Sequence, residues 1–530
     1  MHTHHTQPTP HTRRAVLGAA IAAAGTGVLA ACSGSSSMDH GSMNHGAPEA
    51  TPGGYVTPDG PEVAAAEAKR GSGPVRTVKL TATPTPLELG RNLTVKSWAY
   101  GDRLPGQEVR VTAGDTLALT LANHLPQSTS LHWHGIALRN DMDGVPGVTQ
   151  SPIKSGASFD YRFTVPHPGT YWFHPHSGVQ QDRGLYAPLI VEDPKEPLKY
   201  DKEWVVVLDD WLDGVDGSTP DSVLAELRHG MPGHSGADGP SPTATAKGPS
   251  RIMTGASSDH LGNEAGDIEY PYYLINGRTA GAPSAFRARP GDRIRLRIIN
   301  AGGETAFRVA LGGHELTITH TDGYPVQHAT TDALLLGMGE RYDVLVTAGN
   351  GVFPLTAVAE GKETQGRKAA AMALLRTGGG TAPTASVRPK ELSGRIVTPN
   401  RLKADASVAL PARKPDRTIQ LRLTGNMAQY NWAFNGKPYT PDQRQPVRAG
   451  ERVRLVFTNG TRMWHPLHLH GHTFTLANFT DGPRKDTANL LPNRSLSVDF
   501  DADNPGLWMT HCHNVYHSES GMMTVLGYQK

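Results

Sequence analysis

The stretch Val109-Arg-Val-Thr-Ala-Gly-Asp-Thr-Leu-Ala-Leu-Thr-Leu-Ala-Asn123 decides the fold, because it returns twice further along the chain. Its counterparts are Phe286-Arg-Ala-Arg-Pro-Gly-Asp-Arg-Ile-Arg-Leu-Arg-Ile-Ile-Asn300 and Gln445-Pro-Val-Arg-Ala-Gly-Glu-Arg-Val-Arg-Leu-Val-Phe-Thr-Asn459. In each copy a glycine (Gly114, Gly291, Gly450) opens a tight turn, an alternating apolar run follows, and Asn closes the run nine positions later. Alternation with period two marks a half-buried antiparallel strand. Three copies in 530 residues, too many for one core, predict an all-β protein of three tandem, related β-sandwich domains. Their boundaries are expected at residues 76–196, 197–385 and 395–530. The 59 Gly and 41 Pro suit the many turns of such a fold.

Outside the repeats, Thr12-Arg13-Arg14-Ala15-Val16-Leu17 opens an Ala/Gly run that ends in Leu29-Ala30-Ala31-Cys32. The run is too weakly apolar for a spanning helix, which needs about 20 clearly apolar residues. Residues 1–32 read instead as a twin-arginine signal closed by a lipoprotein cleavage site. Cys32 is then the acylated first residue, and the protein is expected to be exported and lipid-anchored on the outer face of the cell membrane. Residues 33–75, rich in Ser, Gly, Pro and Ala, predict a flexible tether. Within it, Met38-Asp39-His40-Gly41-Ser42-Met43-Asn44-His45 is either a Cu(I)-binding segment or a polar linker. The Gly/Ser/Pro-rich stretch 219–262 reads as a long surface loop in which His229, Met231, His234, Met253 and His260 are scattered solvated residues, with contact to copper as the alternative.

A net charge of +2 with mixed signs offers no basic stripe and excludes nucleic acid as a partner. Cys32 and Cys512 are the only cysteines, so disulfides do not staple the fold, whereas the 25 histidines call for explanation. Four segments carry two histidines separated by one residue: His132-Trp-His134, His174-Pro-His176, His468-Leu-His470 and His511-Cys-His513. Strand residues i and i+2 project from one face, so each pair offers two imidazoles in one direction. All four pairs lie in the first and third repeats, making eight convergent metal ligands; imidazole alone leaves the metal open among copper, zinc, iron and nickel.

The segment His511-Cys512-His513-Asn-Val-Tyr-His517-Ser-Glu-Ser-Gly-Met522, with His465 upstream, narrows the choice. One thiolate, two imidazoles and a weak axial thioether form the ligand set of a blue-copper electron-transfer site. Strand alternation points Cys512 away from the face that carries His511 and His513, which gives electrons a short covalent route between two sites.

These motifs, HWHG at 132–135, HPH at 174–176, HPLHLHGH at 465–472 and HCHNVYHSESGM at 511–522, resemble those of the three-domain multicopper oxidases, the family of laccases, bacterial copper-resistance oxidases and ascorbate oxidase. The resemblance runs from about residue 76 to the end. It implies that each domain is a cupredoxin-like Greek-key sandwich and that the protein holds four copper ions. By the same resemblance His465, Cys512, His517 and axial Met522 form the type 1 site. His132 and His468 hold the type 2 copper, and His134, His174, His176, His470, His511 and His513 hold the type 3 pair. The cluster of three would lie between the first and third domains, with the middle domain as a spacer.

Asp143, eleven residues after His132, resembles the family's acid beside that cluster and is the candidate catalytic acid; a turn-stabilising Asp is the alternative. The family's second acid positions fall on Ser518 and Val515, which leaves Glu519 as a substitute. Asp486 reads as a solvated loop acid, and His472 as structural. The implied activity is one-electron oxidation of a donor coupled to four-electron reduction of O2 to water. An axial Met522 resembles the lower-potential members and favours easily oxidised donors such as Cu(I), Fe(II) or electron-rich phenols. Copper tolerance through Cu(I) oxidation is the leading expectation, a laccase acting on phenols the next, and a non-catalytic copper store the competitor from another class. The protein is expected to act as a monomer.

Overall fold

The structure, a computed structural model, describes residues 54–229, 248–363, 369–477, 479 and 481–530. The signal, Cys32, the Met/His segment 38–45, Met231 and His234 lie outside the described residues. Six sheets pair off into three sandwiches. The first joins the sheet Leu93–Tyr100, Val75–Gly90, Thr116–Asn123, Ser158–Thr164 to the sheet Val109–Thr112, Ala187–Glu192, Gly169–His174, His132–His134. The second pairs a seven-stranded with a five-stranded sheet, and the third a six-stranded with a five-stranded one.

The repeated stretch takes one place in all three sandwiches. Thr116–Asn123 runs parallel to Val75–Gly90 and antiparallel to Ser158–Thr164. Arg293–Asn300 lies likewise between Lys202–Trp211 and Arg341–Thr347, and Arg452–Asn459 between Arg417–Thr424 and Ser495–Asp501. The closing asparagines, all buried, explain their own recurrence. Asn123 Nδ2 donates to the carbonyls of Gln127 and Ile153 while its Oδ1 accepts from Leu125 N. Asn300 does the same with Thr305, Leu336 and Gly302, and Asn459 with Met463, Leu490 and Thr461. Each Asn satisfies two backbone groups of the loop that leaves the strand and one carbonyl of a segment about 30 residues further on, which would otherwise be buried unpaired. In the first and third domains that loop leads directly to a histidine-bearing strand.

Three expectations change. The stretch assigned to the tether contains a helix, α1 (Pro61–Arg70), with Pro at its first turn, Glu62 near its start and Lys69 and Arg70 at its end. Val56 N donates to Tyr528 O, Thr164 N to Glu67, and Arg70 to Asn504, so this segment straps the third domain to the first. The predicted surface loop 219–262 contains α2 (Pro220–Arg228), begun by a Thr219/Ser222 capping box, and its far end is core. Met253 and Leu261 pack with Met338 and Trp464, while His229 and His260 are exposed as expected. The strict alternation expected for the second repeat is lost, because Arg295 and Arg297 are buried beneath the first domain and the linker. Arg295 pairs with Asp343 and Glu196, and Arg297 with Glu203 and the Thr170 hydroxyl.

The first and third domains dock through two asparagines. Asn140 exchanges both of its amide bonds with the backbone of Leu507, at 2.7 and 2.8 Å. Asn504 donates to Leu138 O and Gly471 O, one carbonyl in each domain. Asn504→Ala removes the partner of those two carbonyls and one of the bonds of Arg70, which keeps Glu67. It should cost about 1–3 kcal/mol, measured as a lower guanidinium midpoint at unchanged slope.

Candidate metal centre

Strand register assembles the histidines before any tertiary contact does. His132 sits opposite His174 on the neighbouring antiparallel strand, and His468 opposite His511. Cys512 sits opposite Leu467, on the face that also carries His465. Docking of the first and third domains then lays one four-histidine patch against the other: the His132 ring stacks on His470 at 3.7 Å and His134 on His468 at 3.8 Å.

The imidazoles turn nitrogens toward one another. His176 Nε2 and His470 Nε2 lie 3.3 and 3.2 Å from His511 Nε2, and His134 Nδ1 lies 3.2 Å from His513 Nε2. His132 Nε2, His174 Nε2 and His468 Nε2 are buried and have no hydrogen-bond partner. Donor atoms each about 2.0 Å from one first-row metal ion are separated by such distances, and metal ions would satisfy the orphaned nitrogens. Burial, followed by mutual repulsion with neighbouring histidines, pushes His134, His174, His176, His470, His511 and His513 well below the ordinary histidine range. They are held neutral, the form that binds metal.

Two carboxylates orient these rings from behind, each spanning both domains. Asp143 Oδ2 accepts from His470 Nδ1 at 2.9 Å, and its Oδ1 and backbone carbonyl lie 3.1 and 2.9 Å from His132 Nδ1. Asp486 Oδ1 faces His134 Nε2 at 3.0 Å, and its carbonyl accepts from His468 Nδ1 at 2.9 Å. Asp486 is therefore no solvated loop acid: it is fully buried, held between His134 and the guanidinium of Arg341. Burial opposes its ionisation, but Arg341 and His134 outweigh that and hold it well below the usual carboxylate range. Its partner in the first domain is 352 positions away, so no local pattern could have marked it.

On the other face of the Cys512 strand lies a second donor set. Cys512 Sγ is 3.5 Å from His465 Nδ1 and 3.8 Å from His517 Nδ1, and the two imidazole nitrogens are 3.2 Å apart. Asn514 caps α3 (Val515–Glu519), taking the Tyr516 and His517 amides on its side chain, and so aims His517. Met522 is fully buried and joins the group through its backbone: its carbonyl accepts from Cys512 N, and its amide donates to His517 O. Burial pushes the Cys512 thiol up and His465 down to about 3. A bound cation is what would favour the thiolate here.

Several neighbours escaped the sequence. Trp432 stands 4.4 Å from the His517 ring, and Asp267 Oδ2 is 4.0 Å from His517 Nε2, which has no hydrogen-bond partner. Trp172 stacks on His174 at 4.4 Å. Ser518, where the resemblance expects an acid, brings its Oγ to 3.5 Å from His511 Nδ1, whereas Glu519 lies beside Arg228 and Asp221 of α2. His472 is structural, bonded to His470 O and the Tyr528 hydroxyl.

Comparison with known proteins agrees with this geometry. Family models described as multicopper oxidase match residues 81–196, 241–380 and 412–530. The multicopper oxidase MmcO of Mycobacterium tuberculosis is 48% identical over 467 residues, covering 88% of this chain and 89% of that one. A copper resistance protein A homolog of Pseudomonas syringae pv. tomato is 30% identical over 517 residues, covering 79% and 87%. The crystal structure of a laccase from Botrytis aclada superposes with a TM-score of 0.68 at 25% identity, over 86% of this chain and 88% of that one. With all three sandwiches matched, the chain belongs to the multicopper oxidase family and is a copper-dependent oxidoreductase.

Proposed function

We propose that the protein binds four copper ions and couples one-electron oxidation of a small donor to reduction of O2 to water. His465, Cys512 and His517, with Met522, would hold one copper. His132 and His468 would hold the second, and His134, His174, His176, His470, His511 and His513 the remaining two. Copper supplies the one-electron redox couples and, at the eight histidines, the place where O2 takes up four electrons and four protons. The observation that carries this reading is the His511-Cys512-His513 strand, whose alternate faces meet the two donor sets. A single peptide unit on either side of Cys512 separates the face that would collect electrons from the face that would spend them.

Each part of the chain has a defined task in this scheme. The buried packing of Trp432 and Met522 excludes water from the thiolate. His517 turns its unbonded Nε2 away from Cys512 toward the buried Asp267, and an electron from a donor outside would enter through that ring edge. Asp143, facing His132 and His470 and without an ion pair to Lys or Arg among the described residues, would be the acid that passes protons into the cluster. Ser518 occupies one of the positions where an acid was expected, and its Oγ lies 3.5 Å from His511 Nδ1.

For the donor, Cu(I) is the leading choice. The carboxylate facing His517 favours a cation, Met522 favours an easily oxidised donor, and relatives include copper resistance proteins. Phenols are the second choice, favoured by the likeness to laccases. Export by the twin-arginine route, a lipid anchor on Cys32 and a monomeric state complete the proposal.

Copper-loaded protein should consume O2 rapidly with Cu(I) and slowly with a dimethoxyphenol, followed with an oxygen electrode. The reverse order would make phenols the donor, and no uptake from either at full copper loading would leave a copper store. Cys512→Ser should abolish the blue thiolate-to-copper absorption, bind one copper fewer, and lower O2 uptake to background with both donors.

A further inference from the structure

We infer that the middle domain is more than a spacer: its Arg341 is a positioning residue that sets the orientation of His134 in the histidine cluster. The inference rests on the proposed reading of the eight histidines as copper ligands. His134 is the exception among them. It presents Nδ1 to the cluster, 3.2 Å from His513 Nε2, whereas His176, His470 and His511 meet through Nε2. A ring that binds through Nδ1 must carry its proton on Nε2, and that proton needs a fixed acceptor. Asp486 Oδ1 is that acceptor, at 3.0 Å.

Asp486 is in turn fixed by Arg341, the first residue of the middle-domain strand Arg341–Thr347. The guanidinium is fully buried and grips the carboxylate with both terminal nitrogens at 2.7 Å each, a planar fork that permits one orientation. Its Nε donates to Thr170 O of the first domain at 3.0 Å. One side chain thus ties all three domains together behind one ligand. Further charges brace the grip: Lys485 lies 3.0 Å from both Asp322 and Glu340, and Asp322 accepts from the backbone amides of Arg341, Asp486 and Thr487.

A second observation, independent of the ion pair, also brings the middle domain to the cluster. Gly339, with φ of +85°, ends a turn that lies directly on the rings. A Cβ there would come within 2.9 Å of both His134 Cε1 and His513 Cδ2. Gly135, which follows His134, leaves room for the guanidinium, since a Cβ would stand 2.4 Å from Arg341 Nη2. Only glycine leaves the space for such approaches. The middle domain lacks histidine pairs yet forms a wall of the cluster.

The test uses the full chain loaded with copper, reading copper per chain, the electron paramagnetic resonance spectrum and the blue absorption of the Cys512 site. Arg341→Lys keeps the charge and loses the fork. It should retain the blue absorption while losing copper from the histidine cluster or changing that cluster's resonance parameters. Asp486→Asn, nearly identical in volume, should do the same, and it decides the matter if Arg341→Lys yields no folded protein. Full copper with an unchanged resonance spectrum in Asp486→Asn would overturn the inference. So would loss of blue absorption and cluster copper together in both variants, which would reduce the network to a structural element. Wild-type protein that binds no copper at the eight histidines would sink the underlying reading, an outcome distinct from either.

Discussion

The whole arrangement depends on one property of an extended strand: neighbouring side chains leave by opposite faces. At His511-Cys512-His513 this property places a thiol on one face of a sheet and two imidazoles on the other. Everything else positions partners on those two faces. His465 reaches the thiol because it shares a face with Leu467, the register partner of Cys512, while His468 and His470 on the same strand turn the other way. A shift of one residue in that pairing would exchange the two sets and destroy both. The register is therefore held from several directions, by the adjoining strand Thr487–Leu490, by the Asn459 side chain and by the docked first domain.

A second constraint is the cost of burying so many imidazoles. Nitrogens without hydrogen-bond partners lie buried in the interface between two domains, where an unsatisfied polar group is expensive. The folded chain answers on one side only. Asp143 and Asp486 satisfy the outward nitrogens of four rings and leave the inward nitrogens for metal. The two acids differ in their surroundings: Asp486 is locked to a buried guanidinium, and Asp143 is not. The first is anchored across all three domains, and the second is held by the two rings it faces.

The sequence disclosed what is periodic or local. The three glycine-to-asparagine stretches were visible because each performs the same task at the same distance from its turn, and the four histidine pairs because strand geometry requires the i, i+2 spacing. Cys512 stood out through its neighbours. What stayed hidden depends on contacts between distant segments. Arg341 and Asp486 are 145 positions apart, and nothing in Arg484-Lys-Asp-Thr487 separates a buried anchor from a solvated acid. Helix α1 buries little but Val63, so its apolar stripe was too thin to register against the Ala-rich tether. The second repeat read as half-buried because arginine is normally exposed; only the folded chain shows the acids that cover Arg295 and Arg297.

The most direct test of the account is anomalous diffraction at the copper edge from crystals of copper-loaded protein. It should place one copper among His465 Nδ1, Cys512 Sγ and His517 Nδ1, and the other copper ions within the eight-histidine interface, with His134 bound through Nδ1. Copper confined to other parts of the chain, with the interface between the first and third domains left without metal, would contradict it.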